Sequence, residues 1–526
     1  MLDIFKFKKT KQNSPIIDWL SVSASSLFIF IVIFAILFKP ELVNSITLKL
    51  MDVLLLKFGS IYLILGIAVT IFILWLAFGK HGNLVLGDSS KDIEFSTFSW
   101  ASMIFCAGIG SSLFYWASIE VIYHYMSPPF GLEPHSQAAA STGMEYTLYF
   151  WGIPGWSIYT LCAIPLAYSF HVMKRPYLTI SSACHSIIGP DEKSWKARAI
   201  NIIFSVSLVL ASGASISLSV PLISKIFSEI FNITNDFSLN VVVILITTII
   251  FSISLMLGLK NGIRRLSNFN SILLISFLLF IFLVGPTAFI LNFGIESLGS
   301  MFSNYIKMST WTASFGESDF PYKWTAFYLA WWFVYSPFVA IFISKISKGR
   351  TIKQVLISGT LIGSISSWLC IIILGGYNIN LNIFNIVDTV SVLQLTDAST
   401  AITTAYEQLP GYKTVLMVIA FICIISQATT FDSVSYVLAL SSCKEIKEGQ
   451  EPSNIHKFSF SLLISIIPLG FVFIGGLNIL QTALVLASVP IVLIYMLMLA
   501  SFMLDINKRS DSLSKNIDLN EKYEED

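Results

Sequence analysis

Apolar runs of about twenty residues recur along the whole chain, separated by short polar stretches. A run of that length, wound as an α-helix, crosses a hydrocarbon core of roughly 30 Å. Twelve segments qualify, near 16–38, 54–78, 97–124, 145–172, 199–228, 238–258, 268–292, 323–345, 353–375, 412–441, 458–476 and 478–504. The pattern predicts an all-α integral membrane protein of about twelve transmembrane helices. Two of the segments are irregular. The third carries Ala107-Gly108-Ile109-Gly110-Ser111-Ser112, small residues at mid-span that let the backbone unwind or approach a ligand. Close helix packing is the other use of such a run. The eighth carries Ser336-Pro337, where proline removes a helix hydrogen bond. Non-helical backbone at membrane depth survives only where it lines a cavity or is buried in protein. Spans three and eight are five apart, so a five-plus-five inverted repeat would make them equivalent helices, and paired interrupted helices point to a transporter binding site.

Charge fixes the orientation. Of the 32 Lys and Arg, 25 fall in the two tails or in alternate connections, at 79–96, 173–198, 259–267, 345–353 and 442–457. By the positive-inside rule both tails are cytoplasmic in a cell (inner) membrane. With 55% hydrophobic and 12% charged residues and a mean hydropathy of +0.77, the chain is too apolar for a soluble protein. A net charge of +1 gives no reason to expect a nucleic-acid partner; the lipid bilayer is the expected surrounding. The six cysteines lack metal-ligand spacing and are expected to be free thiols. The basic N-terminus is not followed by a short apolar stretch and cleavage site, so 16–38 is read as a span rather than a signal peptide. The organisation is then a cytoplasmic tail (1–15), two helices (16–96), a first repeat (97–292), an interfacial amphipathic helix and loop (293–322), a second repeat (323–504) and a solvated, disordered cytoplasmic tail (505–526).

The candidate chemistry is aromatic. Trp151, Trp156 and Tyr159 lie close together in span four, and Trp331, Trp332 and Tyr335 in span eight. Two such uncharged groups at mid-bilayer depth can form a box that holds a permanent cation by cation–π attraction. Aromatics placed for the membrane interface are the competing reading. Glu120 and Asp432 are ionisable residues within spans three and ten, with structural roles expected for both, and His124 is expected near the interface. The remaining histidines are scattered, and no nucleophile–base pair or metal cluster suggests an enzyme.

These residues resemble the betaine/carnitine/choline transporters over about 15–505. The resemblance rests on AGIGSSLFYWASIEVIYHYMSPP, the spacing of Trp151, Trp156 and Tyr159, KRPYLTISSACHSIIG, NGIRRLSNFN, WTAFYLAWWFVYSPFVAIFISKISKGRTI, YEQLP and ATTFDSVSYVLA. It implies two extra N-terminal helices followed by a LeuT-like five-plus-five inverted repeat, a homotrimer, and secondary transport of a small onium compound. Glycine betaine is the representative substrate, with carnitine, choline and dimethylsulfoniopropionate as alternatives. It places Trp151, Trp156, Tyr159 and Trp332 in the aromatic box and Tyr335 beside the substrate path. Trp331 and Tyr115 are neighbours, and Gly108, Gly110 and Ser112 belong to the unwound helix that would hold a carboxylate. It also implies a coupling sodium ion bound by Thr429 and Thr430 against the backbone of Ala107 and Ile109, hard oxygen donors for a hard cation.

Three features complicate that picture. The sodium-independent carnitine exchangers share the end of span three and the span-ten pattern. They place a methionine where this chain has Val339, and a cationic side chain where the ion would be; Arg264 and Arg265 read instead as flanking charges. Ser111 and Ser112 stand where betaine carriers have Ile and Gly in a Gly-Met-Gly-Ile-Gly run, which reopens substrate size and coupling. An osmosensing receptor is the remote alternative; the short C-terminal tail argues against it.

Overall fold

In a computed structural model, residues 16–109, 112–316, 318–443, 450–474 and 477–524 are described. The N-terminal tail and Gly110 lie outside them. The long helices are α1 (Trp19–Phe38), α2 (Pro40–Phe78), α3 (Thr97–Ile109), α4 (Ser112–Met126), α5 (Gln137–Phe150), α6 (Ile153–Ala167), α7 (Trp195–Phe231), α8 (Phe237–Met256), α9 (Arg264–Val284), α10 (Thr287–Ser303), α11 (Phe327–Ile346), α12 (Gly359–Cys370), α13 (Gly376–Ile383), α14 (Tyr412–Ser441), α15 (Asn454–Ile474) and α16 (Leu477–Glu524). Among the described residues eight helices are long and apolar enough to cross a membrane, and the bent pair α3–α4 makes a ninth. The other three predicted segments are helical too, as α1, α5–α6 and α15. The six cysteines are free and buried.

α6 carries no charged residue and α11 only Lys345, in its last turn. A helix that is apolar all round must be surrounded by protein or by lipid. Accordingly every residue from 325 to 344 is buried, with α6 packed along α11 and α2 and α16 alongside. α14 packs against α3, α7, α8 and α9. The outer helices α2, α8 and α9 turn Ile, Leu and Phe side chains outward, a face suited to lipid.

Several expectations are corrected. Span three does break at its small-residue run, with a bend of 64° between α3 and α4. Span eight does not break at Pro337, which lies inside a continuous α11. Proline at 337 leaves the Phe333 carbonyl without its usual donor. The Ser336 hydroxyl donates to that carbonyl at 2.8 Å, which keeps the helix satisfied. Span four, expected as one helix, is interrupted at Trp151-Gly152, where Gly152 and Pro154 open a new helix. The C-terminal segment, expected to be disordered, is helical to Glu524 as a continuation of α16. The helix expected within 293–322 begins earlier, at Thr287. It buries Ile290, Gly294, Ser297 and Met301 at helical spacing and exposes Ile295 and Phe302.

Candidate functional site

The break between α5 and α6 positions the site. Interrupting a helix frees backbone carbonyls that must find donors. Two indoles supply them: Trp332 Nε1 donates to the Phe150 carbonyl at 2.9 Å, and Trp368 Nε1 to the Leu148 carbonyl at 2.8 Å. The first of these bonds fixes the Trp332 ring beside the break. Trp151, the residue at the break, is thereby brought against α11.

The rings then interlock. Trp332 has ring centroids at 5.9 Å from Trp151, 5.9 Å from Trp156 and 4.6 Å from Tyr159. Trp151 also meets Trp331 at 6.0 Å and Tyr328 at 5.6 Å, both edge-on. Such tilted and edge-to-face pairs are the arrangement aromatic quadrupoles favour. A cavity lies among them, lined by Gly108, Ser112, Trp151, Tyr159, Ser215, Tyr328, Trp331, Trp332, Tyr335, Thr430 and Phe431, with about 460 Å³ of empty space including its open mouth. None of these lining residues is charged.

The geometry sorts the expected residues. Trp151, Tyr159, Trp331, Trp332, Tyr335, Gly108 and Ser112 line the cavity. Trp156 does not: it is fully buried behind Trp332, and its Nε1 donates to Ser367 Oγ at 3.2 Å. Its ring wedges between Gly108 and Gly363, where a Cβ would stand 2.8 and 2.0 Å from it. Tyr115 is also outside the lining and packs edge-on against Trp116 at 5.2 Å. Tyr159 OH donates to the Gly108 carbonyl at 3.3 Å, which ties the box to the end of α3. Tyr335 OH donates to the Ala211 carbonyl at 2.8 Å and shares a 2.6 Å hydrogen bond with Ser215.

Three lining residues escaped the sequence reading: Tyr328, Ser215 and Phe431, the last beside Thr430 on α14. Tyr328 sits one helical turn before Trp332 on α11, a spacing that would have found it. Ser215 on the small-residue stretch of α7 carries no local signal, since only the approach of α7 to Tyr335 brings it in.

Glu120 and His124 are both fully buried inside the protein. Glu120 Oε2 accepts from Trp151 Nε1 at 2.8 Å and from Tyr328 OH at 2.5 Å, and Oε1 lies 3.3 Å from His124 Nε2. Asp432 is buried on α14, where Ser254 Oγ donates to it at 2.5 Å and Ser433 Oγ at 3.1 Å.

The expected ion-site residues are also adjacent. Thr430 Oγ1 donates to the Cys106 carbonyl at 2.9 Å and the Ser426 carbonyl at 3.2 Å, and Thr429 Oγ1 to the Ser426 carbonyl at 2.8 Å. The carbonyl that meets Thr430 thus belongs to Cys106, one residue before Ala107. Ile109 is the last residue of α3. Around this point α9 offers neutral groups: Asn270 Nδ2 donates to Cys106 Sγ, and Ser426 Oγ donates to Asn270 Oδ1. Two hydroxyls and converging carbonyls are a donor set that suits a small hard cation.

The packing predicts the effect of one small change. A Cβ on Gly155 would stand 2.0 Å from the Trp332 ring. Gly155→Ala is expected to lower stability by about 1–3 kcal/mol through overpacking and to displace Trp332 from the box. Thermal unfolding and substrate binding of the variant check this; an unchanged melting temperature with unchanged affinity would contradict it.

The sequence profile for BCCT, the betaine/carnitine/choline family transporters, matches residues 21–511. Among solved structures, a substrate-bound, outward-open Na+-coupled sialic acid symporter is similar to 88% of this chain over 86% of its own, at 13% identity and a TM-score of 0.47. The profile spans nearly the whole chain, and the chain therefore belongs to the betaine/carnitine/choline transporter family.

Proposed function

We propose that the chain is a secondary active transporter that carries a quaternary-ammonium or related onium compound, of which glycine betaine is the representative, driven by sodium. The observation that carries this reading is the uncharged cavity walled by Trp151, Tyr159, Tyr328, Trp331, Trp332 and Tyr335. A permanent cation there trades water for ring faces, each worth about 0.5–2 kcal/mol in a desolvated site. A zwitterion's carboxylate has a partner in the N-terminus of α4, which begins at the lining residue Ser112. Half-helix N-termini carry the positive end of the backbone dipole.

Sodium is favoured over a fixed cationic side chain because the hydroxyls of Thr429 and Thr430 meet backbone carbonyls rather than a Lys or Arg. Arg265 is exposed and Arg264 half-buried, both at the start of α9, whereas the residues of α9 that meet Cys106 and Ser426 are Ser267, Asn270 and Ser271. Inward movement of one positive charge adds about 2.3 kcal/mol of drive per 100 mV. Substrate and ion would then shift the population between outward-open and inward-open states by binding one form better. The twelve-helix, two-repeat layout and the homotrimer belong to this same proposal.

The test is uptake of labelled glycine betaine, and separately of choline, into proteoliposomes with and without an inward sodium gradient. Accumulation that requires the gradient is the expected result. Sodium-independent counterflow would assign the chain to exchange, and the lack of transport of any onium compound would overturn the reading.

A further inference from the structure

Glu120 is an ionisable group bonded to the cavity wall that the transport scheme leaves unused. It is fully buried on α4, two turns beyond Ser112. Its Oε2 accepts two hydrogen bonds, from the indole N–H of Trp151 and the phenol O–H of Tyr328, and both of those residues line the cavity. Both bonds converge on one carboxyl oxygen, which leaves Oε1 to face His124. Among the described residues no Lys or Arg pairs with it; the His124 ring faces it, with Nε2 3.3 Å from Oε1. The His124 ring is walled by Phe150, Phe320 and Trp324, and its Nδ1 meets no protein acceptor among the described residues.

A buried carboxyl group with no Lys or Arg beside it is costly to keep, and intramembrane groups of this kind persist where they serve a function. Resting on the onium reading of the cavity, we propose that Glu120 is the counter-charge of the bound onium head. It acts through Trp151 and Tyr328 rather than by contact. Its field reaches the cavity through a low-dielectric wall one side chain thick, where Coulomb attraction is far less damped than in water. Its two hydrogen bonds also polarise the indole and the phenol, which enriches the faces they turn to the cation. Glu120 is therefore a positioning and specificity residue: the site prefers a permanent cation over a neutral molecule of the same shape.

The test compares choline with its uncharged isostere 3,3-dimethylbutan-1-ol as competitors for labelled substrate on the purified full-length chain. Glu120→Gln keeps the size and an acceptor oxygen but removes the charge. It is expected to weaken choline by roughly tenfold while leaving the alcohol unchanged, so the selectivity ratio falls by the same factor. Glu120→Asp, which keeps the charge, is expected to retain most of the ratio, and it carries the test if Glu120→Gln fails to fold. Equal losses for both ligands in Glu120→Gln, or an Asp variant with the ratio abolished, would overturn the proposal and leave Glu120 a packing residue. A wild-type chain that does not discriminate the two ligands at all overturns the onium reading itself, and a wild-type chain that discriminates with an unchanged ratio in Glu120→Gln overturns the role of Glu120 alone.

Discussion

Trp332→Ala is expected to lower onium affinity by about 30-fold to 1,000-fold and to abolish measurable uptake at micromolar substrate. Three losses combine. One ring face leaves the box, worth about 0.5–2 kcal/mol. Trp151, Trp156 and Tyr159, each within 6 Å of the Trp332 ring, lose the surface they lean on and relax into the vacated space. The Phe150 carbonyl at the α5–α6 break loses its donor, and an unsatisfied buried acceptor costs about 1–3 kcal/mol. Trp332→Phe separates these terms, because it restores an aromatic face without the N–H. It is expected to fall between wild type and Ala. Binding and uptake of the two variants, with size-exclusion profiles to verify folding, make the comparison. An alanine variant that binds onium as wild type does would remove Trp332 from the site.

Thr430→Val is expected to raise the sodium concentration needed for half-maximal uptake by about tenfold or more, while substrate affinity at saturating sodium changes little. Valine matches threonine in shape and lacks only the hydroxyl. That hydroxyl joins α14 to the end of α3, bonded to the Cys106 and Ser426 carbonyls. Removing it takes one hard oxygen from the proposed ion's donor set and one of the ties between the two helices. Thr430→Ser, which keeps the oxygen, is expected to restore near-normal sodium dependence. If valine leaves the sodium dependence intact, the hydroxyl serves only to join the helices, and its loss is then worth about 0.5–1.5 kcal/mol of stability.

The helical plan was legible because bilayer thickness dictates a run length, and the break in span three was legible because only small residues permit it. The aromatic groups were legible because both stand out on uncharged helices. What the sequence hid was interaction at a distance. Trp156 is one turn from Tyr159 yet sits behind the wall, because Gly363 on α12 leaves a slot that its ring fills. Glu120 and Trp151 are 31 residues apart, and nothing in either segment shows that a carboxylate meets an indole. Pro337 suggested a broken helix, and the neighbouring Ser336 repaired it. The Cys106 and Ser426 carbonyls are backbone groups, which a side-chain pattern does not reveal. The Trp151-Gly152 break was visible in Gly152-Ile153-Pro154-Gly155, but a continuous apolar run outweighed it.

The central claim is that a permanent cation sits among these rings. A cryo-electron-microscopy structure of the chain with saturating glycine betaine tests it most directly. The account predicts the trimethylammonium head within about 6 Å of the centroids of Trp151, Tyr159 and Trp332. It also predicts the Glu120 hydrogen bonds to Trp151 and Tyr328 intact. Ligand density outside this cavity, or a cavity filled by the rings themselves with substrate bound elsewhere, would contradict it.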